Sequence, residues 1–332
     1  MELLAIGAVC ILLGFVLLLA CGALYTFYAV KTAERRYPPR GRFFDINGQK
    51  IHYLDTGGIG RPVVWIHGAH ASMFDFLLAF GEPLNDTLKT KYRFIYIDRP
   101  GFGHSTRVRD KPLTIFEQAE ILHEAVTRIG IKKPFLAGHS FGAAVAMAYA
   151  QNYQEEVAGL LLLAPYLHPY DGAVNPIHYI PVKPLIGSLF MDTLFLPVVR
   201  AFFTGNFLDK VFSPDPAPVE YAEMIRSMAL RPDNYRSNAC DIRLFGPALH
   251  LLAENYTSLR LPVVAVHGKD DLISPHREHI LFIERNLLSL RHFFTLKKTG
   301  HHPLFTQGAA VLSALEALCY PELHVLRPQA KP

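Results

Sequence analysis

Residues 138–142 have the sequence Gly-His-Ser-Phe-Gly, so Ser140 has a glycine two positions away on each side. The pentapeptide overlaps the end of the short apolar run FLAGH and precedes an alanine-rich stretch with helical character. A nucleophile on a tight turn between a strand and a helix needs such glycines, because bulkier residues would collide there. The setting predicts a turn that exposes a nucleophilic serine rather than the start of an ordinary buried helix.

A serine hydroxyl is a weak nucleophile and needs a base that a carboxylate holds in place. Two segments far downstream offer these groups. Asp270 and Asp271 follow the apolar run VVAVHG, and His301 and His302 follow the run FFTLKK by two residues. Both pairs follow predicted strands, and open α/β sheets place their functional sites at the carboxyl ends of the strands. The residues alone leave two candidates for each role.

Short, continuous apolar runs alternate with helical patterns along the chain. The runs lie at 63–67, 94–98, 135–139, 159–164, 263–268 and 293–298, and the helical patterns at about 73–89, 114–129 and 141–153. Strands without polar alternation, separated by helices, predict a parallel sheet that is buried on both faces. Asn47-Gly48, between two β-rich runs, predicts a hairpin before this sheet.

The alternation of strands and helices stops between about 166 and 241. This stretch is rich in proline and large apolar residues and has no convincing strand pattern, so we expect a mostly helical insertion. Its large apolar side chains between 190 and 203 suit an acyl chain, a bilayer surface or simply the insertion's own core. The expected organisation is an anchor at 1–30, a basic, proline-containing linker at 31–42, core at 43–165, a helical cap at 166–241 and core again at 242–332.

The mean hydropathy of the chain, +0.17, is high for a soluble enzyme, and much of the excess lies in residues 3–30, which contain no charged side chain. A helix of that length would measure about 42 Å, more than the roughly 30 Å of a bilayer's hydrocarbon core. A cleaved signal peptide is the alternative, and residues 18–21 (LLAC) resemble a lipoprotein cleavage site. The segment lacks a basic start and stays apolar beyond Cys21, so we expect an uncleaved, single-pass membrane anchor.

Five basic residues follow the apolar segment: Lys31, Arg35, Arg36, Arg40 and Arg42. Under the positive-inside rule they predict that the catalytic part lies on the cytoplasmic side, whereas a solvated linker would allow either side. A formal net charge of +4 and the lack of a basic stripe argue against a nucleic-acid partner. The sequence does not define an oligomeric state.

The cysteines and histidines lack the spacing of metal ligands. Cys240 and Cys319 are far apart, and the other two cysteines lie in the predicted anchor, so we expect free thiols. His67 and His70 have no acidic or cysteine partner at a suitable spacing. We expect neither a metal nor a cofactor.

Residues 43–320 resemble the α/β-hydrolase superfamily. The resemblance rests on His67-Gly68, on residues 98–105 (DRPGFGHS), on the pentapeptide around Ser140, on the G-x-x-D motif that ends at Asp271, and on Gly300-His301. It implies an α/β fold with a mostly parallel eight-stranded sheet, flanking helices and a helical cap. The chain order of serine, aspartate and histidine is also that of the superfamily.

The resemblance also implies roles for individual residues. Ser140 is expected to be the nucleophile, Asp271 rather than its neighbour the acid, and His301 rather than its neighbour the base. The backbone N–H groups of Ala69 and Phe141 are expected to form the oxyanion hole.

The resemblance implies hydrolysis of carboxylic esters through an acyl-enzyme. Ser140 excludes the branches that open epoxides or displace halide, since those use a carboxylate nucleophile. Carbon–carbon bond hydrolases typically carry tryptophan where this chain has His302, but that activity, a thioesterase and a perhydrolase stay alternatives, as does a catalytically silent, membrane-tethered binding module. The apolar cap and the anchor favour a small hydrophobic or lipid-derived ester as substrate.

Overall fold

The computed structural model describes residues 1–81, 86–109, 111–202 and 206–324. Its strands are β1 (Arg42–Ile46), β2 (Gln49–Asp55), β3 (Arg61–Ile66), β4 (Tyr92–Ile97), β5 (Phe135–His139), β6 (Gly159–Leu163), β7 (Val263–Gly268) and β8 (Leu290–Leu296). They form one sheet in the order β1-β2-β4-β3-β5-β6-β7-β8.

The helices alternate with the strands and surround the sheet. In chain order they are α1 (Glu2–Arg36), α2 (Phe74–Phe80), α3 (Asp86–Lys91), α4 (Ile115–Ile129), α5 (Phe141–Asn152), α6 (Ile186–Phe190), α7 (Leu196–Phe202), α8 (Asn206–Phe212), α9 (Val219–Met224), α10 (Pro232–Ala253), α11 (His276–Asn286), α12 (Pro303–Thr306), α13 (Gly308–Cys319) and α14 (Pro321–His324). Two π-helical turns cover Met191–Phe195 and Ile225–Ala229, and 3₁₀ turns cover Gln154–Glu156, Pro176–Tyr179 and Tyr256–Ser258.

The sheet is mostly parallel, as predicted. Strands β3 to β8 run parallel to one another, and β2 is antiparallel to both of its neighbours, β1 and β4. The predicted hairpin is confirmed: Ile46 pairs with Gln49, and both Asn47 and Gly48 have positive φ angles. The carboxyl ends of β5, β7 and β8 therefore lie along the same edge of the sheet.

Both faces of the sheet are buried, which explains the apolar runs without polar alternation. On β3, Val64 and Ile66 pack into one core with α4, α5 and α10, while Val63 and Trp65 pack into a second core with α2 and α13. All four side chains are fully buried. Neither face is left free for a partner, so a site has to lie at an edge of the sheet.

The insertion between β6 and β7 is helical. Helices α6 to α10 and the two π-helical turns form this cap, and the cap contains no strand within 166–202 and 206–241. Its longest helix, α10, runs from the cap into the core that α4 and α5 also form. Phe203, one of the large apolar residues noted in the sequence, lies outside the described residues.

Helix α1 is the one described helix that is long and apolar enough to cross a membrane. Its most apolar stretch is fully exposed on the protein. Farther along the helix, Gly22, Thr26, Ala29 and Ala33 are buried. A Cβ on Gly22 would lie 2.6 Å from the carbonyl oxygen of Thr193 in the cap, so the small residues allow the helix and the cap to pack closely.

Candidate active site

Ser140 occupies a strained turn between β5 and α5, as the flanking glycines predict. Its φ and ψ are 53° and −117°, and its N–H donates to Leu163 O at 2.9 Å on the neighbouring strand. A Cβ on Gly142 would overlap the carbonyl oxygen of Ile66, and one on Gly138 would collide with the start of α5. The two glycines therefore allow strand, turn and helix to approach closely enough to hold the serine in this conformation.

The structure brings Ser140, His301 and Asp271 together in one chain of hydrogen bonds. His301 Nε2 lies 2.8 Å from Ser140 Oγ, and His301 Nδ1 lies 2.8 Å from Asp271 Oδ2. All three side chains are buried. We call this arrangement the Asp271–His301–Ser140 relay.

The two neighbouring candidates lie elsewhere. Asp270 is exposed to solvent and forms no side-chain bond with His301. His302 is buried, and its Nε2 lies 3.3 Å from Asp75 Oδ2 rather than near Ser140. The geometry therefore distinguishes Asp271 from Asp270 and His301 from His302, a choice that the residue types alone left open.

Asp271 is held as an ionised carboxylate. Burial by itself would raise its pKa, but the neighbouring His301 and hydrogen bonds from Ser274 lower it well below the usual range. The backbone N–H groups of Ile273 and Ser274 and the Ser274 hydroxyl all donate to this carboxylate, at 2.8 to 2.9 Å. An ionised carboxylate can only accept hydrogen bonds, so the Nδ1–H of His301 donates to Asp271. The other ring nitrogen, Nε2, therefore faces Ser140 Oγ with its lone pair.

Two further contacts hold the backbone of His301. His139 Nε2 donates to His301 O at 2.8 Å, and burial keeps His139 neutral because it lowers its pKa well below the ordinary value. The N–H of His301 donates to Val211 O, on cap helix α8, at 2.8 Å. His139 therefore positions His301, a contact that the Gly-x-Ser-x-Gly motif itself does not reveal. The cap also holds His301 directly, through Val211.

The N–H groups of Ala69 and Phe141 are the expected oxyanion donors. Ala69 lies in the loop after β3, and Phe141 is the first residue of α5, where helical N–H groups have no intrahelical acceptor. Neither N–H donates to any residue in the described part of the chain. Both residues line the same cavity as Ser140.

The buried side chain of Arg99 contacts both the loop that carries Ala69 and the ring of Phe141. Arg99 Nε and one terminal nitrogen donate to the carbonyls of His67 and Gly68, at 3.0 and 2.8 Å, and its guanidinium lies 4.5 Å from the centre of the Phe141 ring. Asp241 on α10 accepts from Arg99 at 2.7 Å. Burial lowers the pKa of Arg99 to about 10, so it keeps its charge at neutral pH.

Helix α10 also holds Gly68–His70 directly; we call this segment the oxyanion loop, after the role expected for the N–H of Ala69. Asn238 Oδ1 accepts from the N–H of His70 at 2.9 Å, and Asn238 Nδ2 donates to His70 Nε2 at 2.8 Å. Asn238 and Asp241 are three residues apart, on one face of the helix. No local sequence pattern reveals these contacts, because Asn238 lies 168 positions from His70 and Asp241 lies 142 positions from Arg99.

A cavity of about 300 Å³ adjoins Ser140. Much of its wall is apolar and comes from cap and core together: Leu208, Val211, Ile225, Ile242, Phe245 and Ile273. Such a lining suits a hydrophobic group of a small molecule. Its volume is at the low end of ligand pockets, so it encloses one moderate-sized group at a time.

One wall of the cavity carries a polar cluster that the sequence analysis did not foresee. Asp75 Oδ2 accepts from the Tyr221 hydroxyl at 3.2 Å and lies 3.3 Å from His302 Nε2. Burial raises the pKa of Asp75 to about 7 and lowers that of His302 to about 3. An ionisable carboxyl therefore lies beside the reaction centre without taking part in the relay.

Comparison with known proteins places this fold and site in context. A sequence model described as "Alpha/beta hydrolase family" matches residues 63–314. The mesoderm-specific transcript protein of Mus musculus is 26% identical over 260 residues, which cover 74% of this chain and 76% of that protein.

Two solved structures extend the comparison at the level of fold. A thermophilic esterase from Thermogutta terrifontis superimposes with a TM-score of 0.65 and 21% identity, over 84% of this chain and 98% of the esterase. A membrane phospholipase A, described as a bacterial virulence factor, superimposes with a TM-score of 0.61 and 21% identity, over 96% of this chain and 99% of that one.

Replacing Gly142 by alanine should destabilise the fold by about 1–3 kcal/mol, because the added methyl group overlaps a backbone carbonyl. The melting temperature of the full-length protein in detergent measures this effect. Gly308→Ala is the matched control, since a Cβ there meets nothing within 4 Å. Equal melting temperatures for the two variants would contradict the steric argument.

Asp75→Asn should flatten the pH dependence of stability. The folded-state pKa of Asp75 is raised, so its contribution to stability is complete below about pH 4 and is lost as the pH rises through about 7. The wild type should therefore lose more thermal stability between pH 5 and pH 8 than the variant, by a few kcal/mol. Asp270→Asn, at an exposed carboxylate, should keep the wild-type profile; an unchanged profile for Asp75→Asn would show that this carboxyl does not titrate in that range.

Proposed function

The chain belongs to the alpha/beta hydrolase family, and within it we propose that the protein is a serine hydrolase that cleaves carboxylic esters. The observation that carries the proposal is the Asp271–His301–Ser140 relay, with both hydrogen bonds at 2.8 Å. A base at this distance from a hydroxyl, itself oriented by a carboxylate, is the requirement for an activated serine nucleophile.

Acylation begins with an ester whose carbonyl carbon lies next to Ser140. His301 Nε2 takes the proton from Ser140 Oγ as this oxygen attacks the carbonyl carbon. The N–H groups of Ala69 and Phe141 donate to the oxyanion that forms. When the intermediate collapses, the ester C–O bond breaks and His301 gives its proton to the departing alcohol oxygen.

Deacylation repeats these steps with water. His301 removes a proton from a water molecule as the water oxygen attacks the acyl carbon on Ser140. The bond between that carbon and Ser140 Oγ breaks, the proton returns to Oγ, and the carboxylic acid leaves. Asp271 stays ionised throughout and stabilises the imidazolium form of His301.

The cavity and helix α1 support a hydrophobic substrate. The apolar wall beside Ser140 favours an acyl chain or an apolar alcohol. Helix α1 is proposed to anchor the enzyme in a membrane, where lipid-derived esters are concentrated. The basic residues after the apolar segment favour a cytoplasmic catalytic part.

Ser140→Ala should reduce kcat for hydrolysis of p-nitrophenyl butyrate by at least about 10⁴-fold, because no other nucleophile replaces the lost oxygen. Release of p-nitrophenol by the purified full-length protein measures the rate. Ser313→Ala, at an exposed position on α13, is the matched control and should keep wild-type activity. An active Ser140→Ala variant, or a wild type that hydrolyses no ester, would contradict the proposal.

Asn238→Leu should lower kcat about tenfold with little change in KM, because the oxyanion loop loses both bonds from α10 while the apolar cavity keeps its shape. Steady-state kinetics with the same ester separate the two parameters. Asn255→Leu, an exposed residue just beyond α10, controls for the substitution itself. A change confined to KM would show that Asn238 acts on substrate binding instead.

A further inference from the structure

A second concave site lies between α1 and the cap, away from the reaction centre. It is a groove of about 610 Å³ that shares no lining residue with the cavity beside Ser140. Helix α1 lines it with Tyr25, Tyr28, Ala29, Thr32, Ala33 and Arg36, and the cap lines it with Arg200, Glu223, Arg226 and Ser227. The proposed reaction makes no use of this groove.

Cationic side chains dominate the groove. Arg36, Arg200 and Arg226 line it together with a single carboxylate, Glu223, which already forms an ion pair with Arg36. Among the residues that the structure describes, Arg200 has no carboxylate partner. Guanidinium groups suit phosphate oxygens, because their N–H donors form paired hydrogen bonds with them.

Small side chains keep the groove open. Ala29 and Ala33 on α1 and Ser227 on the cap fill little of the space between the two elements. Tyr25, Thr32 and Arg36 follow at helical spacing along the same side of α1. On the α1 side, the groove therefore extends from the tyrosines, nearer the N-terminal end of the helix, to Arg36 near its C-terminal end.

The position along α1 places the groove at a membrane interface. The 22 residues from Leu4 to Tyr25 span about 33 Å of helix, close to the roughly 30 Å of a hydrocarbon core. Tyr25 and Tyr28 are 43% and 61% exposed, and tyrosines of this kind are enriched at the headgroup level. Arg36 follows on the aqueous side, and helical side chains lean toward the N-terminus, here toward the bilayer.

We propose that this groove binds the headgroup of an anionic phospholipid from the surrounding bilayer. The lipid phosphate lies between the guanidinium groups of Arg200 and Arg226, and an acyl chain follows α1 past Tyr25 toward the apolar stretch. The excess of guanidinium groups over carboxylates favours a headgroup with a net negative charge. The inference rests on the proposed membrane anchoring by α1, but not on the proposed ester hydrolysis.

The test measures which lipids stay bound to the full-length protein. The protein is reconstituted in nanodiscs with equal amounts of phosphatidylglycerol and phosphatidylcholine and transferred to mild detergent, and retained lipids are identified by native mass spectrometry. The wild type should retain phosphatidylglycerol in preference to phosphatidylcholine. The double variant Arg200→Gln/Arg226→Gln should bind phosphatidylglycerol about thirtyfold more weakly, because each of the two arginines near a bilayer surface contributes about 1 kcal/mol.

A matched control removes the same charge elsewhere. Arg277→Gln/Arg285→Gln changes two exposed arginines on α11, outside the groove, and should retain phosphatidylglycerol like the wild type. Equal retention by the groove variant, or no preference for phosphatidylglycerol in the wild type, would overturn the proposal. Soluble glycerol 1-phosphate should not displace the lipid; displacement at equal concentration would identify a free phosphate ester, not a bilayer lipid, as the ligand.

The same samples keep the two proposals apart. Hydrolysis of p-nitrophenyl butyrate is measured on each variant before mass spectrometry, and the mass of the intact chain reports whether α1 is retained. An inactive wild type that still selects phosphatidylglycerol would overturn ester hydrolysis and support the groove. An active, intact wild type without lipid preference would support ester hydrolysis and overturn the groove proposal. A chain that has lost α1 would overturn the anchoring on which the groove proposal depends.

Discussion

The hydrogen bond between Asp271 and His301 is the interaction on which the account of this site depends. It links the ends of β7 and β8, and it works only because the carboxylate stays ionised in a buried setting. Three donors around Asp271 and the adjacent imidazole offset the cost of that burial, so the net effect is a lowered pKa. The charge then sets the tautomer of His301 and leaves Nε2 free to face Ser140.

Cap and core act as one unit around this bond. Val211 on α8 holds the backbone of His301, and α10 reaches the oxyanion loop through Asn238 and, by way of Arg99, through Asp241. A cap that only covered a cavity would not need buried polar contacts with the loops that carry Ala69 and His301. The arrangement makes the precision of the proposed oxyanion site depend on helices more than a hundred residues away in the chain.

The sheet and the motif-bearing turns were predictable from the sequence because their signals are local. Apolar runs without alternation indicated strands buried on both faces, and the two glycines around Ser140 indicated the strained turn. The choice between Asp270 and Asp271 needed the resemblance to a family, because adjacent carboxylates differ in orientation rather than in type. The contacts of Asn238, and the raised pKa of Asp75, arise from tertiary packing and leave no local pattern.

We propose that Asp271 and His301 make Ser140 the most strongly activated hydroxyl among the residues that the structure describes. Peptide mapping by mass spectrometry after brief treatment with diisopropyl fluorophosphate tests it directly, since only an activated serine displaces fluoride rapidly. One phosphoryl adduct per chain is expected, on the peptide that contains Ser140. An unlabelled Ser140, or rapid labelling of a different residue, would contradict it.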